Sequence, residues 1–264
     1  MMSHSIPSVE LFVRAAPSNK KEKGPCLVSQ QWMMVLHTLE VKGLIKLHVT
    51  PMSLENPPDN YVKLNAARLL PIAWIQSGEL DEEDATGTVI SSSGSLEALM
   101  QKLKEPNLNA KLKKEDVLHA EKVCEDSYKI FMHHVRNSVS KPILSTLSNL
   151  DSYLASQNGI YLLGNELSYV DCQLMPRLQH IRVAGRAYKD FDIPHNFSHL
   201  WQYIKNMYDT ESFVYSCPSD RDILMHYEER DPLPKDIRPC LLGPEYLHDI
   251  PQSKVLSGAN GDVN

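Results

Sequence analysis

The sequence has no uninterrupted apolar stretch long enough to cross a membrane. Its longest apolar runs cover residues 32–36 and 69–75, whereas a spanning helix needs about 20 consecutive, predominantly apolar residues. Hydropathy therefore argues against a helix that inserts spontaneously. Any insertion would require several copies of the chain to assemble with their polar faces lining a pore.

Cysteine and positive charge are also scarce. The five cysteines are an odd number without paired spacing, and no secretory signal precedes them, so we expect a reducing cytoplasm rather than a disulfide framework. The formal net charge of −6 predicts no general attraction to nucleic acid. His133 and His134 are adjacent and point in different directions on a helix, so no metal is expected.

Cys26 lies where a predicted strand gives way to a predicted helix. Residues 9–14 alternate in the manner of a strand, and helical periodicity runs over residues 27–41, with Gly43 as the helix-ending residue. A cysteine in the first turn of a helix lies near free backbone N–H groups and the positive end of the helix dipole. Both favour the thiolate, so this position predicts a reactive thiol.

The spacing Cys26-x-x-Ser29 corresponds to a Cys-x-x-Cys redox motif whose second sulfur is a hydroxyl. Such a site cannot close its own disulfide, but it can form a mixed disulfide with a small thiol such as glutathione. The alternative is that Cys26 is an inert, buried cysteine, as most cysteines outside such sites are. Both interpretations stay open at this point.

A strand over residues 44–49 would complete a βαβ unit, and Leu70-Pro71 opens the next apolar strand. A thioredoxin-type fold places a cis-proline at this point, opposite the cysteine. In glutathione-binding members of that fold, the backbone of the residue before the proline pairs with the cysteinyl part of glutathione, and here that residue would be Leu70. The alternative is an ordinary trans-proline at the start of a strand, which is the commoner state of X–Pro bonds.

Ser92 and Ser93 follow a short predicted strand over residues 88–90 and precede a helix that includes residues 96–100. Hydroxyl groups and free amides at a helix N-terminus suit a carboxylate. They equally suit a structural role as a serine N-cap. The two roles are compatible.

Residues from about 114 to 230 are helical in pattern. We predict helices over 115–135, 142–156 and 172–188, and a last helix that ends near 230. Ser168-x-x-Asp171 predicts a capping box before the third of these, with a purely structural role. Cys172 lies among apolar residues and is expected to be buried and inert.

Residues 231–264 are rich in proline and polar residues, and we expect them to be largely disordered. An alternative for part of this tail is that residues 241–250 dock on the body of the protein or on a partner.

The order of these elements resembles glutathione transferases, and several stretches are similar to the chloride intracellular channel (CLIC) proteins, in particular invertebrate members. The resemblance covers residues 8–230. The matching stretches are 9–13, 24–30, 34–36, 70–71, 163–167, 171–178, 191–194 and 216–218.

The resemblance implies the fold and the domain boundaries. A thioredoxin-like α/β domain of βαβ-ββα order would occupy residues 1–104. An all-helical domain would follow at 105–230, and the tail would occupy 231–264.

The resemblance also implies a site and partners. Cys26 and Ser29 would be the catalytic pair, and Leu70, Pro71, Ser92 and Ser93 would bind glutathione. The partners would be glutathione, chloride, membrane lipid and a cytoskeletal protein. The protein would be a monomer in solution and an oligomer in membranes, located in the cytoplasm and at membranes.

The chain departs from the family at the site itself. Leu27-Val28 replace the usual Pro-Phe after the cysteine, and Ser92 replaces an acidic residue. The family's proposed spanning segment corresponds to residues 26–49, which here include charged and polar side chains.

Three functions stay open. They are an anion channel that also exists in soluble form, a glutaredoxin-like thiol-disulfide oxidoreductase without channel activity, and a non-catalytic membrane or cytoskeleton scaffold.

Overall fold

The computed structural model describes residues 5–64, 68–105, 141–228 and 245–251, together with a few residues between and after these ranges. The additional residues are 108, 122, 125, 126, 129, 131–133, 232 and 235.

The N-terminal domain is built on a four-stranded mixed sheet. The order across the sheet is β2-β1-β3-β6; β1 and β2 are parallel, whereas β3 is antiparallel to both of its neighbours. One helix, α1, connects the two parallel strands, as the βαβ pattern predicts. The elements are β1 (Ser8–Arg14), α1 (Leu27–Val41), β2 (Lys46–Met52), β3 (Ile72–Ser77) and β6 (Val89–Ile90).

The end of α1 explains where β2 begins. The helix has the predicted bounds, and Gly43 follows it with a φ of +73°. The N–H of Leu44 donates to the carbonyl of Leu39 at 3.0 Å, which closes the helix in a pattern typical of C-terminal glycines. The strand predicted from residue 44 is therefore wrong by two residues, because pairing with β1 starts only at Lys46.

Two short strands, β4 (Glu79–Leu80) and β5 (Glu83–Asp84), form a hairpin that the sequence pattern does not predict. Its turn residues, Asp81 and Glu82, have φ values of 51° and 68°. Turns of this type usually contain asparagine or glycine, so two acidic residues carry no turn signal. The domain also contains α2 (Asp59–Lys63) and α3 (Ser93–Lys102).

The second domain is helical, as predicted. Helix α4 packs on α6, α5 packs on α8, and α6 packs on α7. Most of the helix predicted over 115–135 lies outside the described residues. The described helices are α4 (Lys141–Ser156), α5 (Tyr169–Lys189), α6 (Ser198–Tyr208), α7 (Glu211–Ser216) and α8 (Asp220–Glu228).

The capping box at the start of α5 is confirmed and extends into the core. Ser168 Oγ accepts from the N–H of Asp171, whose carboxylate accepts from the N–H of Ser168 at 2.8 Å. The same carboxylate accepts from Leu162 N and Tyr203 Oη, each at 3.0 Å. Burial raises the pKa of Asp171, so these donors compensate a charge that water does not reach.

Replacing the capping hydroxyl is expected to weaken the whole helical domain. Ser168→Ala should lower the free energy of unfolding by about 1 kcal/mol, since one backbone donor of α5 loses its acceptor. Urea unfolding followed by circular dichroism measures this loss. Ser145→Ala, at an exposed position within α4, should change stability by less than about 0.5 kcal/mol. Equal losses for the two variants would contradict the capping role.

Part of the tail has a defined place, contrary to the expectation of disorder. Residues 245–251 lie against the helical domain, and Leu247 and Ile250 pack on its core. The N–H of Asp220 donates to the carbonyl of Glu245 at 2.8 Å. The docking alternative for residues 241–250 is thus confirmed for 245–250, because apolar side chains and backbone carbonyls in this segment find partners. Residues 241–244 lie outside the described part of the chain.

Helix α1 lies between the two domains. Its residues 29–39 are all buried, since the sheet covers one side and helices α5 and α7 cover the other. A helix that is buried all round is expected to be apolar all round. Gln30, Gln31, His37 and Thr38 nevertheless belong to the buried set, so part of the contact with its neighbours is polar.

Candidate functional site

The sheet topology brings the predicted site residues to one end of the N-terminal domain. Phe12, near the end of β1, pairs with Ile72 at the start of β3, and Ala73 pairs with Ile90 at the end of β6. The segments that leave or enter these strands therefore share one edge of the sheet. They are the start of α1 at Cys26, Leu70-Pro71 before β3, and Ser92-Ser93 after β6.

A tight loop delivers Cys26 to this edge. Gly24 donates its N–H to the carbonyl of Arg14 at 2.8 Å, and Ala15 forms a β-bridge with Lys23. A Cβ on Gly24 would lie only 2.5 Å from the carbonyl oxygen of Ala15. Only glycine allows the two backbone segments to come this close. The loop can therefore bring the chain back to the carboxyl end of β1.

Cys26 is the N-cap residue of α1. Its backbone is extended, with φ −83° and ψ 114°, and its carbonyl accepts the first helical hydrogen bond from Gln30 at 2.9 Å. The thiol is free and half-buried. The N–H groups of the first turn have no acceptor within the helix, and the Cys26 side chain makes no capping hydrogen bond to them.

Ser29 lies one turn further along α1. Its side chain is fully buried, and its Oγ has no hydrogen-bond partner among the described residues. Residues three apart on a helix are neighbours on its surface, so the hydroxyl lies on the same side of α1 as Cys26.

The other two described cysteines have a different environment. Cys172 and Cys217 are both free and buried. Burial raises the pKa of each thiol, and the nearby carboxylates Asp171 and Asp220 add to the effect. The prediction that Cys172 is a buried cysteine is confirmed, and Cys26 is the most exposed of the three.

The Leu70–Pro71 peptide bond is cis, as predicted. Leu70 and Pro25, the residue before Cys26, line the same cavity of about 280 Å³. Its polar lining includes the basic side chains of Arg14 and Lys20, the ring of His226 and the acidic side chain of Glu55. Cys26 follows Pro25 directly in the chain but is not itself among the lining residues.

Ser92 and Ser93 lie at the start of α3. Ser92 is the N-cap, and its Oγ accepts from the N–H of Ser95 at 3.2 Å. Ser93 is the first residue of α3. The serine N-cap is thus confirmed, and the serines share the sheet edge with Cys26 but do not line the 280 Å³ cavity.

A polar contact between α1 and α7 was not predicted from the sequence. Ser212 Oγ lies 2.8 Å from Thr38 Oγ1 and 3.1 Å from His37 Nδ1. The His37 ring stacks on Tyr215 at a centroid distance of 4.2 Å. These four residues, with Gln30 one helical repeat earlier on α1, are named the α1 seam. The spacing of Gln30 and His37, seven residues apart on one helical face, is its only sequence signal.

The α1 seam contains buried polar atoms that have no hydrogen-bond partner among the described residues. Both amide atoms of Gln30 are buried without a hydrogen-bond partner in the described part of the chain, and each such group costs about 1–3 kcal/mol. Burial lowers the pKa of His37, and the charge of Lys23 acts in the same direction. Neutral His37 therefore fits the seam, whereas a protonated ring is disfavoured.

Two further properties concern membranes and metals. No helix in the described ranges combines the length and the apolar character that crossing a membrane requires. Within those same ranges, no cluster of three or more histidine, cysteine or acidic side chains is placed to hold a metal ion.

Comparison with known proteins gives a consistent result. The family model for the glutathione S-transferase C-terminal domain matches residues 135–206. Chloride intracellular channel exc-4 of Caenorhabditis elegans is 33% identical, covering 98% of this chain and 94% of the relative. Chloride intracellular channel Clic of Drosophila melanogaster is 29% identical, covering 93% and 91%.

The fold is shared with a solved structure. The crystal structure of the CLIC homologue EXC-4 from C. elegans aligns with a TM-score of 0.77 at 30% identity, over 94% of this chain and 95% of that chain. The glutathione-transferase fold expected from the sequence is thereby confirmed.

Proposed function

The chain belongs to the chloride intracellular channel family, and we propose that it exists in two forms. In the folded form, α1 is held between the domains and Cys26 is a glutathione-linked thiol. In the second form, the N-terminal domain leaves the helical domain, associates with membranes and supports chloride or other anion flux as an oligomer. Its relatives are named intracellular channels, and we place this chain in the cytoplasm and at membranes.

The α1 seam is the observation that carries this proposal. The helix that would have to leave the body is held on its α7 side by a serine, a threonine and a histidine rather than by apolar packing alone. Gln30 is buried there without a partner among the described residues. Separating the domains returns these polar groups to water, which offsets part of the cost of exposing apolar surface.

Acid is the condition that should favour separation. The pKa of His37 is lowered in the folded protein, so its contribution to stability is complete above the unfolded value of about 6.5. The contribution is lost as pH falls through and below that value, because only the separated form accepts the proton readily. Chloride efflux from liposomes, measured with α1 free and with α1 locked on the helical domain, tests the proposal.

A second candidate function is thiol-disulfide exchange at Cys26. It is favoured by the half-buried sulfur at the N-terminus of α1 and by the cavity between Pro25 and Leu70. The Cys26 thiolate would attack oxidised glutathione, form a mixed disulfide and release one glutathione thiolate. A second thiol, as thiolate, would then attack the glutathione sulfur of the mixed disulfide, which releases the Cys26 thiolate and joins the second thiol to glutathione in a new disulfide. Leu70, Pro71, Ser92 and Ser93 are the proposed binding residues, and Ser29 the proposed partner of the thiol.

Incubation with oxidised glutathione is expected to modify Cys26 selectively. The half-buried thiol is accessible, whereas Cys172 and Cys217 are buried with raised pKa values. Peptide mass spectrometry should locate at least about tenfold more adduct on Cys26 than on either of these residues. The Cys26→Ser variant is the matched control and should take up almost no glutathione. Comparable adducts on all cysteines would contradict a specific thiol site.

A further inference from the structure

The tail segment, residues 245–251, crosses the junction between α7 and α8. The N–H of Asp220, the first residue of α8, donates to the carbonyl at the start of the segment at 2.8 Å. Cys217 Sγ, just after α7, lies 3.8 Å from His248 Nε2. The His248 ring also contacts Phe213 of α7, with 5.7 Å between the ring centroids. The segment therefore contacts α7, the residue that follows it and the start of α8.

Helix α7 also supplies the helical domain's part of the α1 seam. Ser212 hydrogen-bonds to Thr38, and Tyr215 stacks on His37. Successive residues of an α-helix are turned by about 100°, so Ser212 and Tyr215 lie on the side of α7 that faces α1. Phe213 is turned away from both by about 100–160°. The tail segment and α1 therefore contact α7 on different sides, and α7 lies between them.

Helix α7 depends on its neighbours for its position. It has six residues, and isolated helices shorter than about 12–15 residues are marginal in water. With the segment in place, Phe213 is 0% exposed and packs on Tyr208, the last residue of α6, at a centroid distance of 5.6 Å. The His248 ring stacks on Tyr208 at 4.5 Å. His248 thus completes the packing around Phe213, and its removal would leave this side of α7 with fewer contacts.

The residues on either side of His248 hold its ring in this place. Leu247 packs against the hydrophobic core. The carbonyl of Asp249 accepts from Arg182 Nη2 at 2.9 Å. The Asp249 carboxylate lies 3.3 Å from Arg182 and 3.2 Å from Arg186, both on α5. Substitutions at positions 247 and 249 should therefore release the His248 ring without altering any residue of α7.

The segment is nevertheless peripheral to the domain that it contacts. Every one of its residues is half-buried or exposed. The Asp249 side chain that pairs with Arg186 is 59% exposed, so water and salt weaken this ion pair. Regions with few buried apolar contacts open locally at a lower free energy than the core. The segment can therefore leave the body while the helical domain stays folded.

We propose that the tail segment is an autoinhibitory strap. With the strap in place, α7 is held between α1 and His248, and the α1 seam stays closed. When the strap leaves, α7 loses the packing on its outer side, and Ser212 and Tyr215 are no longer fixed against α1. The functional consequence, easier separation of the two domains, rests on the proposed function. The effect of the strap on α7 and on the α1 seam is independent of it.

Hydrogen exchange measured by mass spectrometry in the full-length chain tests the strap. The double variant Leu247→Ala, Asp249→Asn removes an apolar anchor and both ion pairs. Its α7 amides should exchange at least about tenfold faster than those of the unaltered chain, equivalent to about 1.4 kcal/mol. Amides of α4, which packs on α6, should stay within about twofold of the unaltered rate. Asp249→Asn alone should give an intermediate gain and remains usable if the double variant folds poorly.

A matched control changes another side chain of the same segment. Glu245 is exposed and bonds to Asp220 through its carbonyl, so Glu245→Gln keeps this bond and should leave the exchange of α7 unchanged. If the double variant accelerated exchange equally in α4 and α7, the segment would only add general stability, and the proposal would be overturned. Unchanged exchange of α7 in the double variant would overturn it as well.

A second measurement reports on the α1 seam itself. Thr38 is buried, so a thiol introduced by Thr38→Cys reacts with an alkylating reagent only when the seam opens. Adding the double variant should speed this alkylation at least about tenfold. Unchanged alkylation would overturn the strap as a control on the seam. Chloride efflux separates the two proposals, since faster alkylation without a gain in efflux would support the strap and contradict the membrane function.

Discussion

Locking α1 to the helical domain is expected to abolish anion flux. The variant Thr38→Cys, Ser212→Cys replaces two hydroxyl groups whose oxygens lie 2.8 Å apart, so that the sulfurs can form a disulfide without large backbone movement. Because the bond joins α1 to α7 covalently, oxidation should prevent separation of the domains. Chloride efflux from liposomes at acidic pH should fall at least about tenfold on oxidation. It should return when a reductant cleaves the bond.

Formation of the engineered disulfide can be measured independently of chloride flux. The bond joins residues 174 apart, and closing so long a loop is worth about 5 kcal/mol of stability in the chain-entropy model. A raised unfolding midpoint and altered mobility on a non-reducing gel should therefore accompany the loss of flux. The single variants Thr38→Cys and Ser212→Cys, under the same oxidant, control for modification of native cysteines. A fully cross-linked protein that still releases chloride at the unlocked rate would rule out domain separation as the route.

The steepest loss of stability in acid is expected to come from His180. Its ring is fully buried, with Nδ1 at 2.9 Å from Tyr227 Oη. Burial lowers its pKa from 6.5 to about 3, and the nearby His226 and Arg177 act in the same direction. The stabilising contribution is complete above pH 6.5 and is lost as pH falls from 6.5 towards 3, since only the unfolded chain takes up the proton in that window.

The size of this effect follows from the pKa difference. Each pH unit below 6.5 should cost about 1.4 kcal/mol from this one residue, or about 2–3 kcal/mol between pH 7 and pH 4.5. His180→Asn removes the titrating group and keeps a polar atom near Tyr227. It should be less stable than the natural chain at pH 7, by about 1–3 kcal/mol, but should lose less stability on acidification. Urea midpoints across a pH series measure both slopes.

A surface histidine provides the comparison. His195 is exposed, so His195→Gln is the control for replacing a histidine outside the core. Parallel slopes for His180→Asn and the natural chain would show that acid acts elsewhere, for example at His37 in the α1 seam. The two sites are linked structurally, because His180 lies on α5 and α5 packs on α1.

Local pattern was sufficient for much of the fold. The bounds of α1, the capping box at Ser168 and the helical second domain were predictable, because each depends on residues close together in sequence. The cis-proline at Pro71 was expected only because the order of the elements indicated a thioredoxin-type fold. The β4–β5 hairpin was not predictable, since Asp81 and Glu82 carry no turn signal. The start of β2 was displaced because Leu44 closes the end of α1 and pairing with β1 begins only at Lys46.

The candidate site was likewise predictable only in part. Cys26, its place at a helix N-terminus and its shared sheet edge with Leu70-Pro71 follow from the order of strands and helices. The cavity wall combines Arg14 and Lys20 with His226, more than 200 positions later in the chain. No local pattern links residues so far apart, and only folding brings them together.

The sequence by itself determined the two-domain architecture, the family and the position of the thiol, because periodicity, caps and short motifs encode them locally. Only the tertiary structure decided what surrounds α1 and where the tail lies. His37 meets Ser212, and Asp249 meets Arg182, across separations of 175 and 67 residues. Such pairs form because each buried polar group must find a partner once apolar packing has excluded water, and the geometry of the completed fold determines which partner is within reach.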